Sequence, residues 1–171
     1  MCIETANQWA FFCRSYVISS ALGQKDSTGV RVLGGAGRRK SYEDALTFAV
    51  HAMNSSKRGS SGPWTHRDEP NWQDTAVVLK LLNALGCRSY STASVALSYP
   101  TRVFRELPTM RNYFAHKNPD TARKIQQIAR GLALPTTMDA CQVMSSVAPG
   151  AAQTVVLDWL DELRNTLRLM T

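Results

Sequence analysis

The stretch RVFRELPTMRNYFAHKNPDTARKIQQIARG, residues 102–131, decides how the chain is read. It reads as helix from Arg102 to Lys117, with a step expected at Leu107-Pro108, since proline is tolerated in a first turn and a segment can start afresh there. Asn118-Pro119 is expected to end that helix, because a residue before proline avoids the helical region. Asp120 then caps a further helix that runs through Ala122, Ile125, Ile128 and Ala129 to Gly131.

The rest of the chain repeats the pattern. Trp9, Phe12, Cys13, Tyr16 and Val17 fall on one helical face between Thr5 and Leu22, with Gly23 as a stop. Gly23 to Lys40 is a polar, glycine-rich loop in which Val30 to Leu33 could be a short extended piece. Ser41 with Asp44 resembles a capping box, and Tyr42, Leu46, Ala49, Val50 and Met53 form the stripe behind it. A second long loop covers 54–70. Asn71 with Asp74 opens a third helix that Gly86 ends, and Ser91 to Ser98 is a short fourth. Leu132 to Gly150 is mixed, broken at Pro135 and Pro149. Ala151 to Met170 is a final helix, with Val156, Trp159, Leu160, Leu163, Leu167 and Met170 on one side. No segment sustains the alternation of a strand and no internal repeat is visible. The expectation is an all-α, single-domain helical bundle of about five to seven helices spanning residues 1–171.

Composition agrees with a folded chain: 171 residues, 44% hydrophobic and 19% charged, are enough for one well-buried core. Cys2, Cys13, Cys87 and Cys141 share no C-x-x-C spacing and no histidine at finger-like distance, so they read as small buried thiols rather than a zinc site or a disulfide framework. Neither a basic leader nor an uninterrupted apolar span is present, Arg14 breaking the stretch from Trp9 to Ile18, which leads us to expect a cytoplasmic protein without a membrane partner.

The formal net charge is +7, from 20 Lys+Arg against 13 Asp+Glu. Such an excess favours polyanionic partners, nucleic acid first. Between Arg102 and Arg130 seven basic residues face only Glu106 and Asp120, a net +5. At the centre of this segment is the run Arg111-Asn112-Tyr113-Phe114-Ala115-His116. Arginine is permanently charged and its planar fork matches phosphate oxygens. Histidine is the side chain best suited to moving protons near neutral pH, and Asn112 both donates and accepts hydrogen bonds. Together they suffice for phosphodiester cleavage without metal or cofactor where the substrate's own 2′-hydroxyl is the nucleophile, which points to RNA. Arg111 and His116 are five apart, roughly 140° around an ideal helix, so sharing a cleft demands a distorted last turn or a second subunit. An arginine followed by histidine at such spacing is expected by chance about once in a chain of this composition, so the neighbours carry the weight.

The run RNYFAHKN resembles the signature of the HEPN superfamily, an arginine, four to six residues, then a histidine, commonly with a polar residue after the arginine. Helices upstream, Asn118-Pro119 after the histidine and helix downstream follow the same order. The resemblance implies a helical bundle and a homodimer in which two such helices border one cleft. It implies a metal-independent endoribonuclease, in toxin–antitoxin, phage-defence or RNA-processing systems, with a protein antitoxin or regulator as a further partner. On it, Arg111 neutralises the scissile phosphate, His116 transfers protons and Asn112 positions substrate or His116. Arg105, Tyr113 and Lys117 are the neighbouring candidates for substrate contact. Asn118 stands where one branch of the family carries a modified tyrosine, so modification there is not implied. Two alternatives stay open: a non-catalytic HEPN-like module that binds a nucleotide or a protein, and an unrelated structural bundle.

Other motifs fall away. Gly34 to Ser41 looks like a phosphate loop, but Arg39 precedes Lys40 where glycine is needed. It remains a basic loop able to touch phosphates, as are Lys57 and Arg58. His51 reads as a packed or half-exposed helix residue, and His66 has no partner at ligand spacing. Trp9, Trp72 and Trp159 read as core. Trp64, in the Gly/Ser-rich loop, either packs onto the bundle or stacks on a base, with packing favoured.

Overall fold

The computed structural model describes residues 2–25, 29, 39–57 and 64–170. Most of the glycine-rich loop, including Val30 to Leu33 and Gly34 to Arg38, lies outside the described residues, as does Arg58. The described chain is all-helical, with no strand; an isolated antiparallel bridge pairs Val147 with Thr154. Eight α-helices stand among these residues: α1 (Cys2–Ala21), α2 (Tyr42–Met53), α3 (Thr75–Leu85), α4 (Ser89–Ser98), α5 (Val103–Ala115), α6 (Pro119–Gly131), α7 (Ala140–Ser145) and α8 (Val155–Met170). The helix beyond the expected range is six-residue α7, which stands because Asp139 and Gln142 close a reciprocal capping box over its first turn. No described helix is long and apolar enough to cross a membrane.

The chain groups into two compact units, one formed by residues 1–7 and 100–168, the other by 8–99 and 169–171. In the second, Trp9, Cys13 and Val17 of α1, Leu46 and Val50 of α2, and Val78, Leu81 and Leu82 of α3 are buried. Ser41 caps α2 by accepting from the Asp44 amide at 3.1 Å, while the Asp44 carboxylate accepts from Lys40 rather than from Ser41. The third helix begins later than expected. Asp74, not Asn71, is its cap, accepting from the Ala76 amide at 2.9 Å. Trp72 therefore precedes the helix, yet it is buried, its indole donating to Glu69 at 2.9 Å. Glu69 also takes a two-pronged contact from Arg14, at 2.8 and 3.1 Å. Gly86 ends α3 at φ +66°, a left-handed position that glycine adopts without strain. Trp64 packs on α2, donating to the Thr47 hydroxyl at 3.1 Å.

The other unit holds the run at 111–116. Val103, Leu107 and Met110 of α5, Ile125 and Ala129 of α6, Val143 of α7, and Val155, Trp159 and Leu163 of α8 are buried in it. Here α5 and α6 pack together as a hairpin, and α6 meets α7. Two expectations are corrected. α5 shows no step at Leu107-Pro108: it runs unbroken with Pro108 in its interior. Proline removes one intrahelical N–H, the one that would reach Phe104 O, and beside it the Thr109 hydroxyl donates to Arg105 O at 3.1 Å. From α8, Glu162 accepts from the first amides of the helix and the Trp159 indole donates to Glu106, one turn or less ahead of Pro108. Second, the cap of α6 is Asn118, not Asp120. Its side chain accepts from the Thr121 amide at 2.9 Å, with Pro119 in the first turn where its missing N–H costs nothing.

Three of the four cysteines are buried thiols; Cys141 is exposed, a correction that follows from its place on the outer side of short α7. Burial pushes the Cys2 and Cys87 thiols up to about 11 and that of Cys13 higher still.

Candidate functional site

Arg111 and Asn112 lie in the last turns of α5, which closes at Ala115. His116 has left the helix, with φ −143° and ψ 65°, while its amide still donates to Asn112 O at 2.9 Å. The distortion demanded by the five-residue separation is thus present in the backbone. Thr121 fixes this departure. Its hydroxyl donates to His116 O at 3.1 Å and stands 3.1 Å from the Asn118 amide. The turn His116-Lys117-Asn118 is therefore tied to the first turn of α6.

The side chains divide. Arg111 and Asn112 are joined directly, a guanidinium N–H donating to Asn112 Oδ1 at 3.3 Å. Arg111 is half-buried, and its Nε is enclosed without an acceptor among the described residues. Asn112 and His116 are exposed, and the imidazole makes no hydrogen bond or ion pair among those residues. Tyr113 is half-buried and meets Phe114 edge-on, centroids 5.7 Å apart. Lys117 is exposed in the turn. Arg105 is already engaged: it pairs with Glu106 at 3.2 Å.

That pairing exposes what the sequence reading missed. Glu106, counted there as one of two acids opposing a basic surface, is 3% exposed. Its other oxygen accepts from the Trp159 indole of α8 at 3.1 Å. One turn further along α8, Glu162 accepts from the amides of Arg102 and Val103 at 3.0 and 2.8 Å, closing the start of α5. Glu162 and Trp159 thus place α5, and with it Arg111. Thr121 had a local signal, the Asn118-Pro-Asp-Thr capping pattern; Glu162 had none.

An open cleft of about 540 Å³ lies in the same unit, lined by Arg102, Pro149, Asp158, Trp159, Glu162 and others. None of the six candidate residues lines it. Among the described residues no three His, Cys, Asp or Glu side chains are grouped to hold a metal.

These features define an all-α protein with an arginine–asparagine pair and, at the end of the same helix, an imidazole without a partner among the described residues, on a segment of net charge +5. No family model, curated protein or solved structure matches the chain.

Proposed function

We propose that this chain is a metal-independent endoribonuclease of the HEPN kind, working in the cytoplasm as a homodimer in a toxin–antitoxin or phage-defence setting. The observation that carries the reading is the Arg111–Asn112 hydrogen bond one turn ahead of a His116 that has left the helix. A guanidinium positioned by a neutral amide keeps its full charge for a phosphate, as one positioned by a carboxylate would not. A buried guanidinium N–H without acceptor costs about 1–3 kcal/mol, a cost relieved when an anion draws the fork outward.

In the reaction the 2′-hydroxyl loses its proton and its oxygen attacks phosphorus. The bond from phosphorus to the 5′-oxygen breaks and that oxygen takes up a proton, leaving a 2′,3′-cyclic phosphate and a 5′-hydroxyl. Arg111 stabilises the extra charge on the phosphorane, the largest contribution. His116 moves a proton at the 2′- or 5′-oxygen, worth about 10²–10⁴-fold. Asn112 holds the guanidinium in place.

The test is cleavage of mixed RNA in EDTA with the ends identified, for wild type and for Arg111→Ala and His116→Ala verified as folded. Cyclic-phosphate ends lost in both variants are expected. Equal activity in all three proteins, or none in wild type, would sink the reading. The cleft apart from these residues favours one second reading, a non-catalytic module that binds a nucleotide or a protein there; it predicts saturable binding without turnover.

A further inference from the structure

We propose that the outward face of α6 is a track for an RNA backbone leading to the Arg111–His116 end of α5; only that destination rests on the ribonuclease reading. α6 is sharply divided between a buried and an exposed side. Ile125 and Ala129 are buried on one side. Asp120, Arg123, Lys124, Gln127 and Arg130 are all exposed, and on an ideal helix they fall within an arc of about 120°. Lys117 extends the row at one end, directly after His116. At the other end Arg102 donates to Gly131 O at 3.0 Å, which sets a further guanidinium at the close of the helix. The row thus holds five cations against one acid over about 20 Å of helix.

The charges are available. Lys124 and Arg130 make no ion pair among the described residues, and Arg123 touches Asp120 in a pair both of whose members are 73% exposed. Pairs so exposed are weak and give way to a phosphate. The chemistry of the face selects the polyanion. A helix that settles on an acidic membrane offers apolar side chains beside its cations, whereas Ile125 and Ala129 of α6 are buried, Ile128 is half-buried, and the five exposed side chains of the arc are all polar or charged. A backbone of phosphates needs only the cations. Arg123 and Lys124 are neighbours, and Arg130 stands about 10 Å further along the axis, a span that suits an extended strand rather than a single phosphate.

The experiment uses the full chain carrying Arg123→Gln, Lys124→Gln and Arg130→Gln together, exposed changes to a good helix former. Binding of a fluorescein-labelled twelve-nucleotide oligouridine is followed by anisotropy from 0.05 to 0.5 M salt, in a His116→Ala background that prevents cleavage. Each lost phosphate contact lowers the salt slope by about 0.7 for a single strand, so the slope is expected to fall by about 2 and affinity at 0.1 M salt by about a hundredfold. With His116 intact, KM for long RNA rises more than KM for a dinucleotide. Unchanged affinity and slope in the folded variant overturn the track, as does loss of binding to phosphatidylserine vesicles with RNA binding retained. A protein that binds RNA through α6 and cuts none keeps the track and refutes the nuclease. One that cuts RNA, with binding and KM indifferent to α6, does the reverse.

Discussion

The carboxylate of Glu162 on α8 caps the backbone of Val103 on α5, at 2.8 Å, across 59 residues of sequence. Helices begin with N–H groups that have no intrahelical acceptor, and Arg102, the residue in the cap position of α5, supplies no side-chain acceptor. Glu162 takes that role from another helix. Glu162→Ala is expected to destabilise the protein by about 1 kcal/mol, within the usual range for a lost cap. Glu162→Gln, which keeps one accepting oxygen, is expected to lose less than half of that. Urea unfolding of the two variants measures the difference; equal losses would mean that the contact is not a cap.

The second tie between these helices is deeper. Glu106 is buried and accepts from the Trp159 indole. Glu106→Leu removes the acceptor and strands a buried N–H, a loss of about 1–3 kcal/mol. Glu106→Gln restores an acceptor of nearly the same shape and is expected to recover most of it. The check is thermal unfolding of both beside wild type, with near-ultraviolet circular dichroism reporting the Trp159 environment.

These two contacts mark where the sequence stopped being legible. Periodicity placed the helices because burial repeats every turn, and Trp9, Trp72 and Trp159 are core as their positions on or beside apolar faces required. Polarity at the junctions was harder. Asn118 ahead of Pro119 reads as the end of one helix, with Asp120 as the cap of the next, and the geometry makes Asn118 the cap. Pro108 reads as a break because the cost of an interior proline, about 3 kcal/mol, is local, while the support from α8 is not. Glu106 illustrates the same limit: nothing adjacent to it in sequence distinguishes a buried carboxylate from a solvated one. The run 111–116 was legible as a set of residue types, and its position at a helix end as well. The Arg111–Asn112 contact and the engagement of Arg105 depend on rotamers that spacing does not encode.

In the other unit, Glu69 joins Arg14 and Trp72. Burial alone would raise its pKa; the hydrogen bonds from Arg14 and Trp72 outweigh this and hold the carboxyl below its ordinary 4.5. A carboxyl with a lowered folded pKa stabilises fully above its unfolded value and loses that contribution as pH falls through the folded one. Wild type is therefore expected to exceed Glu69→Gln by about 2–3 kcal/mol at pH 7, and the gap to narrow below pH 4.5. Denaturation at a series of pH values tests the sign; a gap that widens in acid contradicts it.

Thiol chemistry separates the cysteines. Cys141 is exposed, whereas Cys2, Cys13 and Cys87 are buried, with burial raising all three thiols above their ordinary range. The thiolate is the reacting form, so at pH 7.5 a maleimide is expected to label one site rapidly in the folded protein. All four cysteines should label in guanidinium. Mass spectrometry of the labelled peptides identifies the fast site, and rapid labelling at Cys13 would contradict its enclosure.

The Arg111–Asn112 contact makes a prediction in which stability and function part company. Asn112→Asp sets a carboxylate where the amide oxygen now accepts from the guanidinium, 3.3 Å away. Between exposed Asn112 and half-buried Arg111 such a pair adds at most about 1 kcal/mol to stability. On the ribonuclease reading the same carboxylate neutralises the charge meant for the phosphorane and repels the incoming phosphate. Activity is then expected to fall by about 10²–10³-fold, the usual effect of losing one transition-state donor. Asn112→Ala should fall less, because it leaves the guanidinium charged though less well held. Arg111→Lys should resemble Arg111→Ala more than wild type, since a point charge does not replace the fork. The order wild type, Asn112→Ala, Asn112→Asp in cleavage rate, with Asn112→Asp no less stable than wild type, assigns Asn112 to positioning of charge. Asn112→Asp cleaving as fast as Asn112→Ala would show that the Arg111 charge is not what the reaction uses.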